Sequence, residues 1–188
     1  MFIYFIFSYL AGTLMTAWLV GKWKGVDLSK ERSGNLGARN AGAVIGKRAF
    51  LLTFLGDAGK GALLVFIGFY FNFPLWAIAV SGLLAVFGHL FPFWLRGHGG
   101  KGIAVFMGVT FFLTPVLFLA MFIMFIAFYP FFKSATLCML CAFTAFITMA
   151  AVLQVLTIVW PLILAIIIIV YRHRFDIEES YKKRFIKS

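Results

Sequence analysis

Residues 102–132 read GIAVFMGVTFFLTPVLFLAMFIMFIAFYPFF and contain no Lys, Arg, Asp or Glu. A helix that crosses a bilayer needs about 20 mostly apolar residues, so these 31 residues are long for one crossing and short for two. Thr114-Pro115 lies inside the stretch, and proline cannot continue the hydrogen-bond ladder of a helix. The number of helices formed here decides on which side of the membrane every later segment lies.

The composition places the whole chain in a membrane as a single domain, residues 1–188. Hydrophobic residues make up 63% of the chain and charged residues 12%. Soluble domains contain about 45–50% apolar residues and about 25% charged residues. So few charges cannot cover a water-facing surface, which excludes a soluble enzyme, a disordered tail and a disulfide-stapled secreted module. Cys138 and Cys141 lie in an apolar run where a thiolate would be costly, so no metal site is expected.

The distribution of charge decides between one helix and two in the opening stretch. The net charge is +11, which in a soluble protein would suggest nucleic acid but here indicates membrane orientation or anion binding. With the N-terminus outside and two helices that turn near Pro115, all 17 Lys and Arg residues face the cytoplasm. With one helix, Lys133 and the basic tail 172–187 would lie outside, against the positive-inside rule.

We therefore expect an all-α, polytopic integral membrane protein with seven transmembrane helices, an outside N-terminus and a cytoplasmic C-terminus. The expected spans are 1–21, 49–71, 75–95, 102–114, 115–132, 134–153 and 155–171. Residues 102–114 would reach only about 20 Å at 1.5 Å per residue, so bilayer thinning or burial against neighbouring helices must make up the difference.

Polar residues gather in four clusters, each at the cytoplasmic end of an expected helix: 27–48, 56–61, 88–102 and 171–176. Their glycines let successive backbone N–H groups converge on an anion, and Gly99-Gly100 leads into a helix that starts near Lys101, where anions are favoured. Basic side chains add charge-assisted hydrogen bonds. The clusters therefore indicate phosphate binding; the alternative is that the glycines form tight turns and the basic residues set topology.

Other chemistries are poorly supported. Lys101 is followed by Gly102 rather than by Ser or Thr, so the phosphate-binding loop of ATPases is excluded. Asp57 and Lys60 are spaced as neighbours on a helix and are either functional or a structural ion pair. His89 lies near the end of a span and is suited to act as a base, as a phosphate hydrogen bond or as a helix-end cap.

Within the four clusters, short motifs follow one another in a fixed order. They are Ser33-Gly34-Asn35-Leu36-Gly37-Ala38 with Asn40, Asp57-Ala58-Gly59-Lys60-Gly61, Gly88-His89-Leu90-Phe91-Pro92 with Gly99-Gly100-Lys101-Gly102, and Tyr171-Arg172-His173-Arg174. Over the whole chain, this combination resembles the bacterial acyl-phosphate:glycerol-3-phosphate acyltransferases, the PlsY family.

The resemblance implies an enzyme that transfers a fatty acyl group from acyl phosphate to the 1-hydroxyl of glycerol 3-phosphate. The products are lysophosphatidic acid and phosphate, in an early step of phospholipid synthesis. Because acyl phosphate is already activated, no covalent enzyme intermediate is required, and the resemblance implies substrate-assisted catalysis. The implied partners are the two substrates and the lipid bilayer, with no cofactor, no nucleic acid and no obligatory protein partner. The implied location is the bacterial cell membrane, with the active site at the cytoplasmic face.

The resemblance also assigns residues to the site. Lys101 and His89 are the best supporting catalytic candidates, and Lys101 and Arg39 are the expected phosphate ligands. The residues expected to bind substrate or phosphate are Ser33, Gly34, Asn35, Gly37, Arg39, Asn40, Lys60, His89, Gly99, Gly100, Lys101, His173 and Asp176.

The chain departs from the family pattern at several basic or polar positions. Arg32 replaces a glycine, Arg39 a threonine, Ala43 an arginine, Val105 a threonine and Asp176 an asparagine, and Gly97-His98 precede Gly99 where the family has Phe-Lys. If 39–47 is helical, Arg39 lies one turn from Ala43 and takes over the missing arginine. The alternatives are a paralogue with an altered substrate, or a non-enzymatic membrane protein that binds anionic lipid headgroups.

Overall fold

The structure, a computed structural model that describes residues 1–186, contains helices and turns and no strand within that range. The helices are α1 Phe2–Gly12, α2 Thr16–Trp23, α3 Ala38–Val44, α4 Lys47–Tyr70, α5 Leu75–Leu90, α6 Ile103–Leu113, α7 Pro115–Phe132, α8 Ala135–Val152, α9 Leu156–Arg172 and α10 Arg174–Tyr181. A short 3-10 helix, Phe93–Leu95, follows α5, and a π-helical turn, Lys182–Ile186, follows α10. The all-α class expected from the sequence is confirmed.

Five helical segments are long and apolar enough to cross a membrane: Phe2–Trp23, Lys47–Tyr70, Leu75–Leu95, Pro115–Phe132 and Ala135–Val152. A sixth is formed if Leu156–Arg172 and Arg174–Ile186, which meet at 60°, count as one bent span. Helix α6 is apolar but has only 11 residues. Every segment expected to cross the membrane is thus largely helical, while the count of seven crossings and the orientation of the termini stay predictions.

The long apolar stretch is divided where the sequence indicates. Helix α6 ends at Leu113 and α7 begins at Pro115. Proline suits the first position of a helix, because its missing N–H has no intrahelical acceptor there and its fixed φ is already helical. The prediction of two helices in this stretch is confirmed.

Two other expected helices are interrupted. The first apolar segment breaks at Thr13-Leu14-Met15, between α1 and α2. The condition of a single helix over 39–47 is not met, because α3 ends at Val44 and α4 begins at Lys47, after Gly46 at φ +123°. Arg39 and Ala43 therefore share one turn of α3, whereas Lys47 belongs to the next helix.

Helix α5 lies at the centre and packs against α1, α4, α6 and α9. Glycines bring the backbones close together: a Cβ atom at Gly108 on α6 would lie 1.9 Å from the carbonyl oxygen of Ala58 on α4. Between α1 and α5, a Cβ atom at Gly12 would lie 2.2 Å from the carbonyl oxygen of Ala85. Small residues at such crossings are typical of helices that pack within membranes.

Helix α7 lies at the periphery. Leu117 and Met121 are its buried residues, and α7 packs chiefly against α8. Most of its remaining side chains are apolar and exposed or half-buried, as expected for a helix that faces lipid.

Candidate active site

The four polar clusters of the sequence meet at one end of the helix bundle. The loop that precedes α3 touches the loop that precedes α6, because a Cβ atom at Gly100 would lie 2.9 Å from the carbonyl oxygen of Leu36. Helix α4 contacts α5 through Lys60 and His89. The start of α6 contacts α10 through Lys101 and Asp176. Segments distant in sequence thus form one polar region.

Lys60 lies at the centre of a buried hydrogen-bond network. Its Nζ atom lies 3.1 Å from Oδ1 of Asp57, on the preceding turn of α4, and 2.9 Å from Nδ1 of His89. It also donates to the carbonyl oxygens of Gly12, at 2.9 Å, and Leu14, at 2.5 Å. These two carbonyls belong to the break between α1 and α2, so the Lys60 ammonium satisfies acceptors that a continuous helix would satisfy itself.

The network fixes the chemical state of the groups around Lys60. Asp57, only 1% exposed, also accepts a 3.0 Å hydrogen bond from the Thr16 hydroxyl at the start of α2. An ammonium group only donates, so Nδ1 of His89 accepts and, in the neutral ring, Nε2 carries the hydrogen. Asp57 and Lys60 form an ion pair, and a functional role for the pair stays a prediction.

His89 links this network to the loop that precedes α6. The N–H group of Gly100 donates to the carbonyl oxygen of His89 at 3.1 Å, and the N–H group of Gly99 donates to that of Leu90 at 3.3 Å. A Cβ atom at Gly100 would lie 2.1 Å from Nε2 of His89. These two glycines therefore let the loop pack against the end of α5, and their N–H groups do not form the open anion nest inferred from the sequence.

Lys101 is held immediately before the N-terminus of α6. Gly102, at φ +85°, begins the helix, and the N–H groups of its first turn have no intrahelical acceptor. The Lys101 ammonium contacts the carboxylate of Asp176 in the first turn of α10. Both side chains are partly exposed, 27% for Lys101 and 29% for Asp176, so solvent and solutes can reach the pair.

His173, at the junction of α9 and α10, lies within the same group of charges. Burial lowers the pKa of His173 below its usual value; the positive charges of Lys101 and Arg39 lower it further, and Asp176 opposes them. Nδ1 of His173 lies 2.9 Å from the carbonyl oxygen of Ile169. Since a carbonyl only accepts, Nδ1 carries the hydrogen and Nε2 of the neutral ring is an acceptor.

The loop before α3 is fixed by Asn40. The Asn40 amide nitrogen is buried and donates to the carbonyl oxygens of Leu28, at 3.1 Å, and Glu31, at 3.2 Å. Ser33 is exposed, and its Oγ accepts from the N–H group of Asn35 at 3.4 Å. The Asn35 amide packs against Gly37, where a Cβ atom would lie 2.8 Å from Nδ2 of Asn35. Gly34, at φ +64°, makes the turn between Ser33 and Asn35.

Two arginines flank this loop. Arg39 is exposed on the first turn of α3, and its charge acts on His173. Arg32 adopts φ +50°, a conformation that favours glycine, and its guanidinium lies 3.4 Å from the carbonyl oxygen of Ala43. An arginine side chain thus reaches position 43 from the loop, although residue 43 is an alanine.

Sequence reasoning missed the break in the first helix and the part played by Thr16. Gly12 directly precedes Thr13-Leu14-Met15, but a single glycine is common inside transmembrane helices and does not by itself predict a break. The one available signal was indirect: a buried lysine on α4 needs more acceptors than one aspartate supplies, and backbone carbonyls are the nearest source.

Comparison with known proteins agrees with this architecture. The family model described as glycerol-3-phosphate acyltransferase matches residues 2–183. The glycerol-3-phosphate acyltransferase 1 of Bacillus anthracis is 46% identical over 108 residues, which is 57% of this chain and 57% of that protein. The aligned region therefore spans little more than half the length of that curated relative.

Two crystal structures of PlsY (YgiH), an integral membrane glycerol 3-phosphate acyltransferase, have the same fold. Its glycerol 3-phosphate form superposes with a TM-score of 0.89 at 30% identity, covering 97% of this chain and 92% of that one. Its lysophosphatidic acid form gives a TM-score of 0.86 at 29% identity, with the same coverage. Together with the match over residues 2–183, these likenesses show that the chain belongs to the glycerol-3-phosphate acyltransferase family.

Proposed function

We propose that this protein transfers a fatty acyl group from acyl phosphate to the 1-hydroxyl of glycerol 3-phosphate, giving lysophosphatidic acid and phosphate. The observation that carries the proposal is the position of Lys101. Its partly exposed ammonium lies at the N-terminus of α6, within a polar region at the end of an apolar bundle. A site for a phosphate ester beside lipid-facing helices suits a reaction between a water-soluble acceptor and a lipid-like donor. That PlsY has forms with glycerol 3-phosphate and lysophosphatidic acid supports the choice of substrate.

The chemistry requires positioning and charge more than a nucleophile of the enzyme. The 1-hydroxyl oxygen attacks the acyl carbon, the bond from that carbon to the phosphate oxygen breaks, and phosphate leaves with the electron pair. The hydroxyl proton passes to a phosphate oxygen of the donor. Holding both substrates in line lowers the entropic cost of the reaction, and cations placed where charge develops stabilise the transition state.

In this proposal Lys101 and Arg39 contact phosphate groups, and Ser33 and Asn35 supply neutral hydrogen bonds. His173 offers an acceptor at Nε2 to a substrate hydroxyl. Seven other predicted site residues shape the walls of the site, because they form hydrogen bonds or pack tightly within the protein. They are Gly34, Gly37, Asn40, Lys60, His89, Gly99 and Gly100.

A turnover assay tests the reaction. Purified protein in detergent is given radiolabelled glycerol 3-phosphate with palmitoyl phosphate, palmitoyl-CoA or no donor, and lysophosphatidic acid is quantified. We expect product with palmitoyl phosphate only. Product with palmitoyl-CoA alone would contradict the proposed donor, and absence of product together with binding of anionic lipid would favour a lipid-binding protein.

We also propose that the chain crosses the bacterial cell membrane seven times, with its N-terminus outside and the site at the cytoplasmic face. The outer turns, around residues 72–74, 114–115 and 154, carry no Lys or Arg, as the positive-inside rule requires. The short α6 would then cross a locally thinned bilayer or lie shielded by its neighbours.

Site-directed labelling tests this topology. Single cysteines at Asn72 and at Lys133, in a chain that lacks Cys138 and Cys141, should react with an impermeant maleimide from opposite sides of sealed membrane vesicles. The two positions flank α5, α6 and α7, so in the proposed topology three crossings separate them. Labelling of both from the same side would refute the seven-crossing arrangement.

A further inference from the structure

We propose that Asp176 makes the site selective for phosphate esters that carry a hydroxyl group, because its carboxylate competes with phosphate for Lys101. This inference rests on the proposed function, in which Lys101 binds a phosphate group. It adds a determinant of ligand choice to that site.

The geometry gives Asp176 this role. Its carboxylate contacts the Lys101 ammonium, and α10 carries it there from the first turn after His173. Among the residues that the structure describes, Asp176 is the carboxylate that forms an ion pair with Lys101. A phosphate group that reaches Lys101 therefore enters next to one fixed negative charge.

Displacing Asp176 from Lys101 is unfavourable for a ligand that offers only phosphate. The carboxylate loses its counter-ion and lies beside a second anion, and the repulsion between these two like charges opposes binding. An ionised carboxylate only accepts hydrogen bonds, so a phosphate oxygen without a hydrogen cannot compensate it.

A hydroxylated phosphate ester compensates the carboxylate. In glycerol 3-phosphate, only the ester oxygen and C3 separate the phosphorus from C2, which carries a hydroxyl group. Because Lys101 and Asp176 are in contact, a phosphate group bound to Lys101 would bring that hydroxyl within reach of the carboxylate, which would accept a hydrogen bond from it. The same residue thus weakens the binding of bare phosphate and spares the binding of a polyol phosphate.

Replacing Asp176 with asparagine separates these effects. The amide is isosteric, carries no charge and also offers N–H donors to phosphate. Dissociation constants are measured calorimetrically on purified protein for inorganic phosphate, 1-propyl phosphate and glycerol 3-phosphate. Glu179→Gln is the matched control, since it removes an exposed carboxylate from the same helix.

We expect Asp176→Asn to bind inorganic phosphate and propyl phosphate at least about tenfold more tightly, with a much smaller gain for glycerol 3-phosphate, and Glu179→Gln to change none of the three. Equal gains for all three ligands would overturn the selectivity, and weaker binding of all three would show that Asp176 positions Lys101. If the wild-type protein makes lysophosphatidic acid, either result would refute the role of Asp176 in selectivity and leave the proposed function standing. A wild type that binds none of the three and makes no product would refute the proposed function as well.

Discussion

Replacing Lys101 with alanine should lower the rate of acyl transfer by about 100- to 1,000-fold, the loss found when one preorganised donor to a developing charge is removed. Lys101 immediately precedes the N-terminus of α6; in the proposed site its charge and the free N–H groups of the first helical turn would act on the same anion. The measurement is the initial rate at saturating palmitoyl phosphate and glycerol 3-phosphate. Lys133→Ala, which removes an exposed lysine from the turn between α7 and α8, serves as the control.

A double substitution guards against a misleading loss of activity. Lys101→Ala alone leaves Asp176 without its partner, and the free carboxylate would itself repel phosphate. Lys101→Ala combined with Asp176→Asn removes both charges, and we expect it to stay at least about 100-fold impaired because the phosphate-binding cation is still absent. Recovery to near wild-type turnover would show that Lys101 serves only to neutralise Asp176.

Replacing Lys60 with methionine should lower the free energy of unfolding by about 3–5 kcal/mol, because it leaves Asp57 buried without a counter-ion. The substitution also removes the donor to the carbonyls of Gly12 and Leu14 at the break in the first helix. Unfolding is followed by titration of detergent-solubilised protein with sodium dodecyl sulfate. Lys47→Met is the matched control, since Lys47 is exposed at the start of the same helix.

The companion variant tests the cause of this loss. Asp57→Asn removes the buried charge but keeps an oxygen that can accept from Thr16. In combination with Lys60→Met it should recover part of the lost stability. If Lys60→Met instead unfolds like the wild type and raises the KM for glycerol 3-phosphate, Lys60 is a substrate ligand, as the sequence motif alone suggested.

The helices were predictable because the bilayer imposes one strong rule on the sequence. Each span must be predominantly apolar over about 20 residues, and a proline at the start of a helix suits its position. These two rules locate α4, α5, α7 and α8 and the break at Thr114-Pro115. The distribution of Lys and Arg residues also predicts which end of each helix faces the cytoplasm, and the helix boundaries alone cannot test that prediction.

Contacts between distant segments were not predictable from the same rules. The break at Thr13-Leu14-Met15 is stabilised by a lysine that lies 46 residues beyond Leu14, so it depends on a contact that local sequence rules do not describe. Gly99 and Gly100 illustrate a second limit, since a glycine pair indicates either an anion nest or a close backbone approach. Only the partners of their N–H groups distinguish the two, and those partners lie on α5.

The peripheral packing of α7 on α8 bears on the order in which the chain assembles during synthesis. The two helices are neighbours in sequence, so they can pair as a hairpin as soon as both have entered the bilayer. Helix α5, in contrast, must wait for α9, which the ribosome makes only after α6, α7 and α8. Late-formed contacts leave earlier segments exposed during biogenesis. A chain truncated after α8 would therefore contain the completed α7–α8 hairpin, but the face of α5 that packs against α9 would be uncovered. Membrane quality-control proteases would then recognise a defect in the centre of the bundle rather than at its edge.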